Sequence, residues 1–201
     1  MPDRLAADSG GIERAALLLR SGELVAFPTD TVYGIGCLAG DAMALVRIFA
    51  AKRRDPEKAV AWLVASPEAV AAAGFRLDER ALKLTERFWP GALTLVLPAA
   101  GESATQAFRV PAHDVALALL AVTGPLAVSS ANRSGEPETL DADDVSIAFA
   151  DGDEPSAILD GGRVPGGVAS SVLDLSGPKA RLLREGAVSR AEIEGVIGPI
   201  D

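Results

Sequence analysis

Lys52, Arg53, Arg54 and Lys58 place four cations within seven residues of a chain whose formal net charge is −9. A guanidinium fork and an ammonium point charge at a helix end can grip phosphate or carboxylate oxygens. The same residues also read as a solvated helix terminus, with Lys52 and Arg53 complementing the dipole and Asp55 and Glu57 neutralising the cluster. A second polar concentration, Pro28-Thr29-Asp30-Thr31-Val32-Tyr33-Gly34-Ile35-Gly36, follows the hydrophobic run Leu24 to Phe27. Its hydroxyls and carboxylate serve either a ligand or a turn in which Asp30 accepts backbone hydrogen bonds and Tyr33 packs in the core. Gly34 and Gly36 allow close approach of another segment or a ligand.

Three later segments carry the same kinds of group. Arg109-Val110-Pro111-Ala112-His113 ends one strand pattern, Ser129-Ser130-Ala131-Asn132-Arg133-Ser134-Gly135 follows another, and Ser170-Ser171 precedes a third; Arg184-Glu185-Gly186 closes a fourth. Polar groups collected at strand ends make a ligand crevice in an α/β fold. The only histidine is His113, which excludes a histidine-rich zinc centre; by itself it reads as a hydrogen-bonded surface residue. No Gly-x-Ser-x-Gly elbow and no phosphate-binding loop ending in Gly-Lys-Ser or Gly-Lys-Thr occurs. The only cysteine, Cys37, can close no disulfide within the chain and reads as a small buried hydrophobe.

Periodicity supplies the elements that must position these groups. Helical patterns run over 11–20, 41–51, 78–89 and 114–122, with Asp41 as a capping residue and Ser66-Pro67 opening a further helix. Strand patterns run over 24–27, 59–64, 93–97, 107–110, 126–128, 157–159, 172–175 and 181–183. Ser189 and Glu192 have capping-box spacing before a final helix. The alternation predicts an α/β fold, and the acidic stretch 136–154 is expected to be a surface excursion. Neither an internal repeat nor a low-complexity linker is evident, so one compact domain over 1–201 is expected.

With 49% hydrophobic residues the chain can bury a substantial core. Its apolar runs fall well short of the ~20 residues of a membrane helix, and no export signal is evident, so a cytoplasmic protein without membrane contact is expected. Net acidity opposes nonspecific nucleic-acid binding, and an aromatic content of 4% offers little base stacking.

Taken in register, PTDTVYGIG (28–36), KRRDPEK (52–58), WPGALTLVL (89–97), RVPAH (109–113), SSANRSG (129–135), ASSVLDL (169–175) and REG (184–186) resemble the bacterial threonylcarbamoyl-AMP synthases of the YrdC/Sua5 family. The resemblance runs from about residue 11 to 186. It implies a YrdC-like (RibB-like) α/β fold, a twisted mixed sheet with helices around a concave, positively charged cavity, in the short form without the C-terminal Sua5 domain. It also implies an enzyme that converts ATP, bicarbonate and L-threonine into threonylcarbamoyl-AMP and pyrophosphate. That product would feed N6-threonylcarbamoylation of adenosine 37 in tRNAs reading codons that begin with A, through transient contact with a downstream transferase complex. Whether tRNA binds directly is left open.

Carried onto these positions, the resemblance implies that Lys52 and Arg54 serve the triphosphate and the reacting carboxylate, with Lys58 beside the nucleotide. Thr31, Arg109 and Ser129 would hold threonine, and Asn132, Ser171 and Arg184 would touch the nucleotide. Mg2+ is expected through ATP phosphates, with no protein metal ligand assigned and no organic cofactor. Asp55 and Ala59 stand where the family often has prolines, Arg53 replaces a common small residue, and Ser171 stands where threonine is usual. The implied chemistry needs no protein nucleophile: a threonine N-carboxylate attacks the α-phosphorus of ATP, and cations neutralise the meeting anions. Two rival readings remain, a non-catalytic factor binding double-stranded RNA or tRNA, and an enzyme making carbamoyl-adenylate from carbamoyl phosphate.

Overall fold

The computed structural model describes residues 1–201 except Glu57, Glu102, Ser103 and Gly167. In chain order its elements are β1 (Asp3–Ala6), α1 (Ser9–Arg20), β2 (Val25–Phe27), β3 (Gly34–Leu38), α2 (Ala42–Ala51), β4 (Ala61–Leu63), α3 (Pro67–Ala72), α4 (Glu79–Phe88) and β5 (Leu93–Pro98). They continue with β6 (Thr105–Arg109), α5 (Asp114–Thr123), β7 (Leu126–Ser130), α6 (Ala142–Ala148), β8 (Ala157–Asp160), β9 (Ser171–Asp174), β10 (Arg181–Arg184) and α7 (Arg190–Ile197). The strands form one mixed sheet in the order β1-β8-β2-β3-β7-β4-β6-β5-β9-β10. This is the expected α/β architecture.

Local chemistry explains where the helices begin. Asp8, Asp41, Asp78 and Asp141 each turn a side-chain oxygen onto an N–H of the first turn of α1, α2, α4 and α6, satisfying a donor that the helix leaves open. At α7 Ser189 and Glu192 form the reciprocal capping box that their spacing predicts. Apolar faces of α2 and α6 pack with β3 and β8 around Ile35, Ile48, Val145 and Ile158. A second cluster joins α4 and α7 to β5, β6 and β9 through Leu84, Leu95, Phe108, Leu173 and Ile193. Trp62 on β4 packs against both clusters and meets Phe75 and Phe108 edge-on, at ring separations of 6.1 and 5.7 Å.

Three elements depart from the sequence reading. The glycine-containing stretch after Tyr33 is strand β3, which pairs antiparallel with β2 and β7 and carries the buried Cys37. The acidic stretch 136–154 is not a simple excursion, because α6 lies within it and Ala142, Val145 and the following Phe149 are buried. Three acidic residues in and beside so short a helix, Asp141, Asp143 and Asp144, mask its single apolar face. Strand β1 also pairs parallel with β8 from a segment with almost no apolar pattern. Among the described residues no helix is long and apolar enough to cross a membrane.

Candidate active site

Strands β4 to β7 and β9 bring their inward side chains to one cleft of about 240 Å3, closed on one side by the Thr29–Gly34 segment and on another by Arg54 and Arg184. Its wall combines Thr29, Thr31, Thr94, Ser129, Ser130 and Ser170 with apolar Val60, Leu63, Val128 and Val172. Glu138 is the one carboxylate among the described residues lining it.

The polar turn is both internally capped and part of this wall. Thr29 Oγ1 donates to Val32 O at 2.7 Å and lies 3.1 Å from Thr31 Oγ1. Tyr33 sends its ring into the core, where the hydroxyl donates to Gly162 O at 2.8 Å and accepts from Gly161 N at 3.2 Å. Burial pushes that phenol up to about 12. Asp30 turns towards Arg109 at the end of β6. The Arg109 guanidinium, 6% exposed, donates from Nη2 to Asp30 Oδ1 at 2.5 Å, from Nη1 to Thr31 Oγ1 at 3.1 Å and from Nε to Gly91 O at 2.9 Å.

Arg54 and Arg184 are less committed. Arg54 donates from Nη2 to Ala59 O at 3.1 Å, and its buried Nε has no hydrogen-bond partner. Arg184 caps Ser170 with Nε and Nη2 to the carbonyl at 3.0 and 2.8 Å and Nη2 to Oγ at 3.2 Å. Burial first, and the charge of Arg184 second, lowers the pKa of Arg54. For Arg109, burial lowers it and Arg184 adds to that, while Asp30 opposes both. Three guanidiniums thus border one cleft, Arg109 paired with Asp30 and Glu138 the one carboxylate among the described lining residues, an excess of positive charge that suits an anion.

Other predicted residues sit elsewhere. Lys52, 1% exposed, caps α2 and sends Nζ to the carbonyls of Ser130 and Asn132 behind the wall instead of into the cleft. Burial, and secondarily Arg54, brings its ammonium down to about 8. Asn132 spends its amide on Glu136 O at 2.7 Å, and Lys58 is exposed outside the lining. Ser171 faces away: its Oγ donates to Val188 O and accepts from the amides of Gly186 and Val188 at 2.8 and 3.1 Å. Strand alternation puts Ser170 on the cleft side, where its Oγ meets Thr94 Oγ1 at 2.9 Å. Thr29, Thr94, Ser130, Glu138 and Ser170 are polar lining residues that the sequence reading did not assign to a ligand. Period-two spacing from Val172 back to Ser170 could have found the last, and Thr94 lies directly opposite Val172. His113 is half-buried outside the lining, with Nδ1 unpartnered and its pKa lowered by burial, so the expected surface hydrogen bond is not made.

Residues 17–186 match the Sua5–YciO–YrdC family, described as telomere recombination. The chain belongs to this family. Among Sua5–YciO–YrdC relatives, the threonylcarbamoyl-AMP synthase of Pyrococcus abyssi is 43% identical over 94% of this chain and 58% of its own length. The putative threonylcarbamoyl-AMP synthase of Mycobacterium tuberculosis H37Rv is 39% identical over 94% of this chain and 90% of its own. The chain thus spans little more than half of the archaeal relative and most of the mycobacterial one. The crystal structure of P. abyssi Sua5 complexed with L-threonine superposes with a TM-score of 0.89, at 39% identity over 100% of this chain and 62% of that one.

Proposed function

We propose that the protein is an L-threonylcarbamoyladenylate synthase. The observation that carries the reading is the convergence of Arg54, Arg109 and Arg184 on one hydroxyl-lined cleft, in a chain similar to a Sua5 solved with L-threonine. Two anions must meet in this reaction, and a cleft of fixed cations supports that encounter without a protein nucleophile. Of the five N–H groups of a guanidinium, Arg109 commits three to Gly91, Thr31 and Asp30, which leaves two for the threonine carboxylate.

The threonine amine adds to bicarbonate-derived CO2, giving an N-carboxylate and, overall, water. A carboxylate oxygen then attacks the α-phosphorus of ATP, the bond to pyrophosphate breaks, and the mixed anhydride threonylcarbamoyl-AMP forms. Arg54 and Arg184 face the phosphates, the Arg54 guanidinium being committed, among the described residues, at Nη2 to Ala59 O alone. Lys52 serves from behind by holding the Ser130 and Asn132 carbonyls and so the turn that presents Ser129. Mg2+ would come with the ATP phosphates, and Glu138 and the cleft hydroxyls suit its water shell. When bound it would neutralise phosphate charge. The adenylate would pass to a transferase that acylates N6 of tRNA adenosine 37.

The test supplies purified protein with ATP, Mg2+, L-threonine and 13C-bicarbonate. Pyrophosphate release and an adenylate carrying threonine plus the labelled carbon are expected, each substrate being required and tRNA dispensable. Release that ignores bicarbonate, an unlabelled product, or tight duplex-RNA binding without turnover would overturn the reading.

A further inference from the structure

The turn that delivers Arg54 is held from outside the cleft. Arg133, 3% exposed, ties the ends of two helices together: Nη1 donates to Ala51 O of α2 at 3.0 Å and Nε to Ala148 O of α6 at 3.1 Å. Its Nη2 donates to Gly152 O at 3.0 Å and to the Asp151 carboxylate, and the guanidinium lies over Phe149 at 5.6 Å. The other Asp151 oxygen takes Arg53 Nη2 at 2.6 Å. One carboxylate thus bridges a buried arginine and an exposed one.

Arg53 follows the residue that caps α2, and its own N–H donates to Ala50 O at 3.0 Å. Its φ of +47° is left-handed, a conformation that costs a side-chain-bearing residue about 1 kcal/mol or more and persists where the surroundings enforce it. That residue turns the chain out of α2, so the next side chain, Arg54, leaves towards the cleft. Flanking atoms are pinned as well, Lys52 O by Ser134 N at 3.0 Å and Arg54 N by Phe49 O at 2.9 Å. Asp151 itself does not line the cleft.

We propose that Asp151 is a positioning residue for nucleotide binding: by bridging Arg53 to Arg133 it fixes the left-handed turn that aims Arg54 at the phosphates. The inference rests on the proposed function for the identity of the anion. Removing the carboxylate leaves Arg53 and Arg133 as like charges beside one another and leaves the turn to its backbone hydrogen bonds alone. A misaimed Arg54 weakens phosphate contacts while the Arg109 end of the cleft keeps its geometry.

Calorimetry with ATP and, separately, with L-threonine tests this on the wild type, Asp151→Ala, Asp151→Glu and Arg53→Gly, each well below its own melting temperature. Asp151→Ala should lose about tenfold or more in ATP affinity, the scale of a remote misplacement, with threonine affinity within about twofold. Asp151→Glu should recover most of the loss. Arg53→Gly tolerates the left-handed turn without enforcing it and keeps the Arg133 pair, so it should weaken ATP by a few-fold and spare threonine; this arm decides if Asp151→Ala does not fold. Unchanged ATP affinity, a parallel loss of both ligands, or failure of Asp151→Glu to restore binding overturns the positioning role. A wild type that takes threonine and no ATP overturns the proposed function and this inference together.

Discussion

Arg109 Nη2 and Asp30 Oδ1 lie 2.5 Å apart, joining the end of β6 to the turn after β2 with both side chains largely withdrawn from water. Asp30 also accepts Ala112 N at 3.1 Å, so the carboxylate orients a fork that is already anchored at Gly91. Asp30→Ala would leave a buried cation without its countercharge and should cost about 3 kcal/mol or more of unfolding free energy in urea. Asp30→Asn, which keeps an acceptor, should cost less. Equal stability of wild type and Asp30→Ala would remove the pair from the account of the site.

The two ends of the cleft should separate in mutants. Arg109→Ala should weaken L-threonine in calorimetry more than ATP, since the proposed function sets its uncommitted N–H groups against the amino acid's carboxylate. Arg54→Ala should lose roughly 10²-fold or more in turnover, as when a preorganised electrostatic donor is removed. Arg53→Ala should matter much less than Arg54→Ala, because Arg53 acts only through the turn. Near-normal turnover in Arg54→Ala sinks its assignment.

The helix caps, the mixed α/β order and the arginines of the cleft were legible because each depends on local pattern. Asp41 and the Ser189 capping box act within four residues, and Arg109 and Arg184 close strands that announce themselves by hydrophobicity. Which side of a strand a polar residue takes depends on register, and this misdirected the reading of Ser171. The pairing of Val172 with Thr94 sets that register, and Ser170, two residues before Val172, shares its side of the strand. Lys52 misled for a different reason. A lysine at a helix end reads as an anion ligand, and the carbonyls of Ser130 and Asn132 that take it come from about eighty positions later. β3 was hidden because its glycines carry no strand pattern, whereas the close approach expected of Gly34 and Gly36 is met in their packing beside Val128.

Ser170 and Ser171 should behave oppositely when changed to alanine. Ser171→Ala deprives the buried amides of Gly186 and Val188 of their acceptor, at a cost of about 1–3 kcal/mol in stability. Ser170→Ala removes a cleft hydroxyl shared by Thr94 and Arg184 and should change ligand affinity with little change in melting temperature. Finding the stability loss at Ser170 and the affinity loss at Ser171 would reverse the facing of β9.

Lys52 predicts a pH dependence of stability. Its folded pKa of about 8 lies below the ordinary 10.5, so between these values the unfolded chain binds more protons and stability rises with pH. Cys37 and Tyr33, both pushed up to about 12 by burial, act in the opposite sense above their ordinary 9.0 and 10.0. Comparison with Lys52→Met cancels those two. The urea-midpoint difference, wild type minus Lys52→Met, should move in favour of wild type from pH 7 to pH 10. A difference that stays flat over this range would mean that Lys52 is not held at depressed pKa.

Gly34 tests whether the close approach of β3 to β7 shapes the cleft. A Cβ there would sit 2.6 Å from Val128 Cγ1, closer than real side-chain contacts allow, and 3.5 Å from Ser129 O. Both neighbours line the cleft, so either Val128 turns into it or the end of β7 shifts with Ser129 and Ser130. Overpacking of this kind costs about 1–3 kcal/mol, and Gly34→Ala should therefore lower both the melting temperature and the affinity for L-threonine. Val128→Ala removes the methyl that the new Cβ meets. The double variant Gly34→Ala/Val128→Ala should consequently be more stable than the two single losses added together, a favourable coupling that a double-mutant cycle reads directly. Strict additivity would place the cost of Gly34→Ala in the strand backbone and not in its contact with Val128.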